Sequence, residues 1–394
     1  MEKRGLVTVW LIGSALEYPA GGGHLWVYLN WAMGLRANGC RVVWLECTAD
    51  EAPSETVVRN AASLRSRIAS FGFHDFAVLT GTAKPLPADP GSARLLRTAH
   101  EAELLLDLSY CPSEAVVEIF QRSAMVDIDP GLSQQWLHDG GLKIPRHDHY
   151  FTIGETVGTP EASFPDCGFN WHYTPPCVSL DAWPVAPASA NASFTTVSHW
   201  ESHEWVHHGG ASYNNSKRSG FLPFLQLPKL TAAKLELALS LGRDESEKRH
   251  LEELGWIIRE SASVSATPEA YRSYIQYSRG EFSCVKPSCV RLQNAWISDR
   301  TICYLASGKP AVVEHTGPSR ILPDAEGLLR FRSLDQAVEY LEVVQSDYET
   351  HARAARGLAE DVFDAKKVAA RLLEQALSKP SSKLKVADFM HHPT

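Results

Sequence analysis

Three clusters of residues have the types and spacing to do chemistry. The first is Tyr18-Pro19-Ala20-Gly21-Gly22-Gly23-His24. Gly22 and Gly23 remove side chains where a backbone can approach a ligand, and amides at a following helix start can face an anion; a tight turn is the plainer alternative. His24 would sit at that helix entrance, which disfavours positive charge. Its imidazole is therefore suited to take a proton from a hydroxyl, or to hydrogen-bond without moving one. The run is not a GxGxxG fingerprint and lacks the Gly-Lys-Ser/Thr ending of a P-loop, which argues against P-loop ATP hydrolysis.

The densest cluster lies between positions 277 and 317. Ser298 is placed to cap a helix whose first turn holds Arg300 and Thr301, and a phosphate there would meet charge-assisted donors and helix-terminal amides. Arg300 serves equally well in a structural ion pair. Glu281, two residues before Ser283, can bind a sugar or hold Lys286 or Arg300. Glu314-His315-Thr316-Gly317 reads as the end of a strand. There Glu314 can accept ligand hydroxyls, and Thr316 and Gly317 can bind phosphate or pin the turn.

The third cluster contains His203-Glu204-Trp205-Val206-His207, the HExxH pattern of zinc hydrolases. That chemistry needs a stable helix and a third ligand, and only about two turns fit before Gly209-Gly210, so a polar loop is favoured. Lys217 and Arg218 follow in another polar loop, either solvated or able to neutralise a phosphate.

The elements that must position these groups read as an α/β chain. A strand at 6–12, a helix at 24–38 stopped by Gly39 and a strand at 41–45 make a βαβ unit, whose crossover puts the glycine loop at the carboxyl edge of a parallel sheet. A helix at 53–70, a strand at 76–79, a helix-to-strand passage at 92–106 and strands at 124–128 and 149–153 continue it. The last two end in Asp129-Pro130-Gly131 and Gly154-Glu155, where an open sheet builds its ligand crevice. Five prolines between 164 and 190 mark a crossing between domains. A second α/β unit follows, with strands at 193–197, 256–258 and 311–313 and helices at 229–241, 267–278, 299–307 and 334–344. A helical stretch at 348–378 and a loose polar tail at 379–394 complete the chain.

Composition sets outer bounds. With 394 residues, 44% hydrophobic and a net charge of -8, the chain can build two cores and is not a disordered protein. It has no long basic run, so no nucleic-acid partner is expected. No apolar run approaches the roughly 18 residues of a membrane span. Eight cysteines without a CxxC pair fit a reduced, cytoplasmic protein.

On these residues the chain resembles the two-domain GT-B glycosyltransferases, and more closely the bacterial group 1-like glycosyltransferase proteins. The likeness is carried by the order strand, Gly-Gly-Gly-His, helix, and by Val126-Asp127-Ile128-Asp129-Pro130-Gly131 and Phe151-Thr152-Ile153-Gly154-Glu155. Phe194-Thr195-Thr196-Val197 with Trp200, Tyr274-Ile275 with Gly280-Glu281-Phe282-Ser283, and the run from Ser298 to Pro310 extend it to about residue 375. No pair of glutamates seven residues apart occupies the place where many retaining group 1 enzymes carry one, so inversion and retention both stay open.

The resemblance implies two facing Rossmann-like α/β/α domains, an acceptor-side domain over 1–180 and a donor-binding domain over 191–347, with C-terminal helices at 348–378 crossing back to the first. It implies a nucleotide-diphosphate sugar as donor substrate, with no other cofactor. Phosphate or donor binding would fall to Gly22, Gly23, Lys217, Glu281, Ser283, Lys286, Ser298, Arg300, Thr301, Glu314, His315, Thr316 and Gly317. His24 would act as base on a hydroxyl or amine acceptor oriented by Asp129 or Glu155. No DxD motif stands in the donor region, so no obligatory metal is expected. Acceptor identity and oligomeric state stay open. The competing readings are a sugar-nucleotide epimerase, a phosphorylase and a catalytically silent sugar-nucleotide-binding partner.

Overall fold

The computed structural model describes residues 6–49, 55–86, 89–242 and 245–378; the expected tail at 379–394 lies outside them. Seven strands form the first sheet: β1 Thr8–Gly13, β2 Arg41–Thr48, β3 Phe76–Thr80, β4 Leu104–Asp107, β5 Ser123–Asp127, β6 His149–Thr152 and β7 Trp171–Tyr173. They lie in the order 3-2-1-4-5-6-7 and every pairing is parallel. The strand order reverses between β1 and β4, which opens a crevice at their carboxyl ends, where the glycine loop leaves β1.

The second half repeats the plan. After β8 Phe194–His199, a hairpin of β9 Trp205–His208 and β10 Ala211–Asn214 stands apart from the main sheet. Then come β11 Leu235–Ser240, β12 Ile257–Glu260, β13 Gly280–Ser283, β14 Ala311–Glu314 and β15 Leu328–Phe331. The parallel order 12-11-8-13-14-15 reverses between β8 and β13. Each half therefore has its own switch point.

Three expectations need correction. The helix expected at 229–241 is a short 3-10 turn followed by β11. Ala, Lys and Leu favour a helix, but Leu235, Leu237 and Leu239 alternate into the second core while Glu236 points the other way, and burial outweighs local propensity. The proline-rich crossing also contains β7, which extends the first sheet, so the first domain's strands run past Trp171. The C-terminal helical stretch is not continuous. A π turn at Ala359–Phe363 and an extended Asp364 separate helices Tyr348–Leu358 and Ala365–Ser378. Val178 of the crossing is clamped there, donating to the Phe363 carbonyl and accepting from Ala365.

Helix Gly22–Ala37 is buried almost all round, because it lies between the first sheet, helix Ala365–Ser378 and the second domain. One apolar cluster runs from β1 through Trp26 and Leu29 of this helix into Tyr271, Ile275, Ile302 and Tyr304 of the second half. The far face of the second sheet has its own core, where Phe282 and Phe331 stack 5.3 Å apart. Among the described residues no helix is long and apolar enough to cross a membrane.

Candidate functional site

The carboxyl ends of the two sheets enclose a cleft of about 570 Å³. The loop after β1, including Gly21, Gly23 and His24, forms one wall; Val197 and Ser198 of β8, Ser240 of β11 and Tyr271 form the other.

On the first wall, His24 is half-buried between the rings of Tyr18 and Tyr28, with centroids 4.9 and 5.2 Å away. Its Nε2 lies 2.8 Å from the Ser14 carbonyl oxygen, which can only accept, so Nε2 carries the proton and the lone pair is on Nδ1. Burial holds this imidazole below the ordinary histidine value, against the opposing pull of the Ser14 bond. A neutral, oriented histidine is the state a general base needs.

The glycines have a different use from the one expected. A side chain at Gly22 would come within 2.2 Å of the Thr267 carbonyl, and one at Gly23 within 2.6 Å of the Tyr271 ring. Their missing side chains admit the start of helix Pro268–Tyr277 from the second domain. Trp26 seals the contact by donating to the Pro268 carbonyl at 2.8 Å.

Asp127, fully buried at the end of β5, accepts from Tyr110, Ser133, Gln134, Thr152 and the Asp129 amide. It is a structural hub that fixes the loop carrying Asp129. Asp129 itself reaches solvent. The packing around it, with the negative charges of Asp127 and Glu204, pushes its carboxyl up to about 6 against the opposing effect of Lys286. Glu155 does not face the cleft. It accepts from the Arg320 amide at 2.9 Å, from the Arg320 side chain and from Ser319, bridging the domains away from the acceptor wall.

Next to the second wall, reached through Val197, lies a cluster of cations and the carboxylates that face them. Arg300 spans the switch point: Nη1 donates to the Val197 carbonyl of β8 at 2.9 Å, Nε to Glu281 at 2.7 Å and Nη2 to Ser283 at 2.5 Å on β13. Ser298 caps its helix by accepting from the Arg300 amide, and Thr301 is buried in the first turn. Glu281 and Ser283 thus hold Arg300, which is 12% exposed and keeps two unused N–H donors.

Lys217 is not a solvated loop residue. It opens helix Lys217–Phe221 and donates to the Cys284 carbonyl at 2.9 Å. Burial, with the charges of Arg300 and Lys286, pulls its ammonium down to about 8. Lys286 pairs with Glu204 at 3.0 Å. Glu314 accepts from the Val285 amide, and burial raises its carboxyl to about 7.

In the turn after β14, Thr316 lines a small pocket with Ser298, Arg300, Thr301 and Glu314, although its hydroxyl is already engaged. Thr316 donates to the Trp296 carbonyl at 2.6 Å, and the His315 ring accepts from the Gly317 amide. Gly317, at φ +141°, packs against the 293–295 backbone, with no room for a side chain. Burial and the neighbouring arginines Arg330 and Arg332 hold His315 down to about 4. This turn pins a loop.

The HExxH segment, expected as a polar loop, is partly a strand. His207 lies on β9 of a two-stranded hairpin closed at Gly209-Gly210, so His203 and His207 share no helix face. Its Glu204 instead ties Asn215 and Lys286 together.

Glu46 was not singled out from the sequence. It is buried at the end of β2 and accepts from Trp44, Ala15 and Leu16. An acid closing a hydrophobic parallel strand was the available signal, one position beyond the strand expected at 41–45.

No protein-family model and no curated protein matches the chain. Solved structures do. HepE from Anabaena, in complex with UDP-glucose, is 11% identical over 94% of this chain and 100% of its own, with a TM-score of 0.53. An α-glucosyltransferase in complex with UDP and a 13-mer DNA is 9% identical over 95% of this chain and 100% of its own, at 0.56. AviGT4, a glycosyltransferase involved in avilamycin A biosynthesis, is 13% identical over 94% and 97%, at 0.51. The two parallel sheets, their facing carboxyl ends and the helix crossing back to the first domain are the GT-B fold expected from the sequence.

Proposed function

We propose that the protein is a glycosyltransferase that moves a sugar from a nucleotide-diphosphate donor to a hydroxyl or amine acceptor. The observation that carries this reading is the group of cations beside Val197, which lines the cleft. Lys217 is half-buried near Arg300 and Lys286, and it donates to a carbonyl rather than a carboxylate. A partly desolvated cation so placed is stabilised by an incoming anion, and a diphosphate carries the charge to satisfy it. The fold shared with HepE, which is in complex with UDP-glucose, supports the choice of donor class.

In this reading the domain over 191–347 holds the donor and the domain over 1–180 presents the acceptor. Lys217, Lys286 and the free donors of Arg300 take up the charge of the departing diphosphate, a role that needs no divalent ion. His24 Nδ1 receives the acceptor proton and Asp129 orients the acceptor. Direct displacement with inversion is the simplest course for a base in that position. Closure of the two domains over the bound substrates limits hydrolysis of the donor.

The test is a thermal-shift panel of UDP, GDP, ADP and their sugars, followed by transfer assays with and without EDTA. Binding to the folded state raises the melting temperature by linkage, so a donor should give a concentration-dependent rise. A panel with no shift, or a shift that Lys217→Met leaves intact, would sink the assignment.

A further inference from the structure

We infer that Glu46 is a positioning residue for His24, acting through the single peptide group that joins Ser14 to Ala15. The inference rests on the reading of His24 as the acceptor's base. A peptide unit is planar, so its carbonyl and N–H move together. The carbonyl of this unit, on Ser14, accepts the His24 Nε2 proton at 2.8 Å. Its N–H, on Ala15, donates to Glu46 Oε2 at 2.9 Å. Carboxylate, peptide and imidazole stand in one hydrogen-bonded chain, and the Leu16 amide adds a second bond to the same Oε2 at 3.2 Å.

Bonds in such a chain polarise one another. Negative charge on Glu46 makes the Ser14 oxygen a stronger acceptor, which keeps the imidazole proton on Nε2. It also stabilises the imidazolium that forms when Nδ1 takes a second proton. Tyr28 Oη lies 3.3 Å from the same Nε2. It cannot donate to a nitrogen that already bears a proton, so it flanks the chain without changing the tautomer.

Holding the loop does not by itself call for a carboxylate. Glu46 is 1% exposed and its three recorded donors, Trp44 Nε1 and the amides of Ala15 and Leu16, are all neutral. An anion in that setting is costly, and burial lifts its carboxyl to about 7 even with three donors. The fold nevertheless makes room for it. Gly13 stands opposite Glu46 in the β1–β2 register, and a side chain there would come within 2.9 Å of Oε1. Trp44 and Glu46 lie on the same face of β2, so the indole N–H reaches Oε1 at 2.8 Å and turns Oε2 toward the loop.

The experiment uses the full chain labelled with 15N-histidine, at pH 8, where Glu46 is ionised. The His24 signal is identified by its loss in His24→Gln. The unaltered protein should give the Nε2-protonated tautomer; an Nδ1-protonated ring overturns the proposal without any need for a variant. The paired change Glu46→Gln with Trp44→Phe removes the charge, while the remaining oxygen still accepts from Ala15 and Leu16. It also removes the indole donor that would meet the new amide. That variant should show mixed His24 tautomers and at least a tenfold loss of kcat, with UDP affinity within twofold. An unchanged tautomer would reduce Glu46 to a loop anchor. If the tautomer shifts but His24→Gln transfers sugar normally, the positioning role stands and the reading of His24 as base falls.

Discussion

The two switch points share a topology and differ in how their buried charges are met. At the first, Asp127 and Glu46 are buried among neutral donors: five hydrogen bonds reach Asp127 and three reach Glu46. At the second, Arg300, Lys217 and Lys286 crowd together, and Lys217 has a carbonyl in place of a carboxylate. A buried carboxylate can be satisfied by converging N–H and O–H groups, as Asp127 and Glu46 are. At the second, Arg300 and Lys286 face carboxylates, whereas Lys217 donates to a carbonyl that leaves its charge unneutralised. Under the proposed function the first wall orients the acceptor and the second binds the donor.

The largest effect expected from this contrast is on turnover. His24→Gln should lower kcat by about 100- to 10,000-fold, the usual worth of a general base, while UDP binding measured by calorimetry stays within twofold. A comparable loss of binding would mean that His24 belongs to the donor site instead. Next, Asp127→Asn should destabilise the fold by about 2–4 kcal/mol, because it sets an amide against several donors. Urea unfolding reads this as a lower midpoint at unchanged slope.

On the other wall, Lys217→Met should weaken UDP binding by about 10- to 100-fold, the range of one charge-assisted hydrogen bond. It should leave the urea midpoint level or higher, because a partly desolvated cation that has no carboxylate partner is removed. Reversed behaviour of Asp127→Asn and Lys217→Met would erase the distinction between the walls.

Acidity sharpens the same point. Lys217 loses its proton as pH rises through about 8, so UDP affinity should be full below that value and decline above it. Lys217→Arg should flatten the decline, since a guanidinium stays charged. The smallest effect is expected at the domain bridge. Arg320 is 84% exposed, so the side-chain arm of its pairing with Glu155 is screened, and Arg320→Ala, which keeps the backbone bond, should cost under about 1 kcal/mol with little change in kcat.

Much of the fold was legible because it depends on short-range pattern. Continuous apolar runs announced buried parallel strands, and Ser298 stood where a helix needs a cap and accepts the Arg300 amide. Element type failed where propensity and burial disagreed. Residues 229–241 look helical one at a time, yet alternate leucines decide for a strand once a second core lies beneath them.

The site divides in the same way. Residue chemistry alone picked out His24, Arg300 and Lys217 as groups able to handle protons and phosphate charge, because those capacities belong to the side chains. The direction each one faces was settled by the packing of distant segments. Thr316 spends its hydroxyl on the Trp296 carbonyl, and Gly22 gave its space to Thr267, while Gly23 packs against Tyr271 and still lines the cleft. Glu46 gained its meaning from a loop some 30 residues away in sequence. Hydrogen bonds and close contacts across such separations exist only after the sheets have brought their strand ends together, so no local pattern along the chain could encode them.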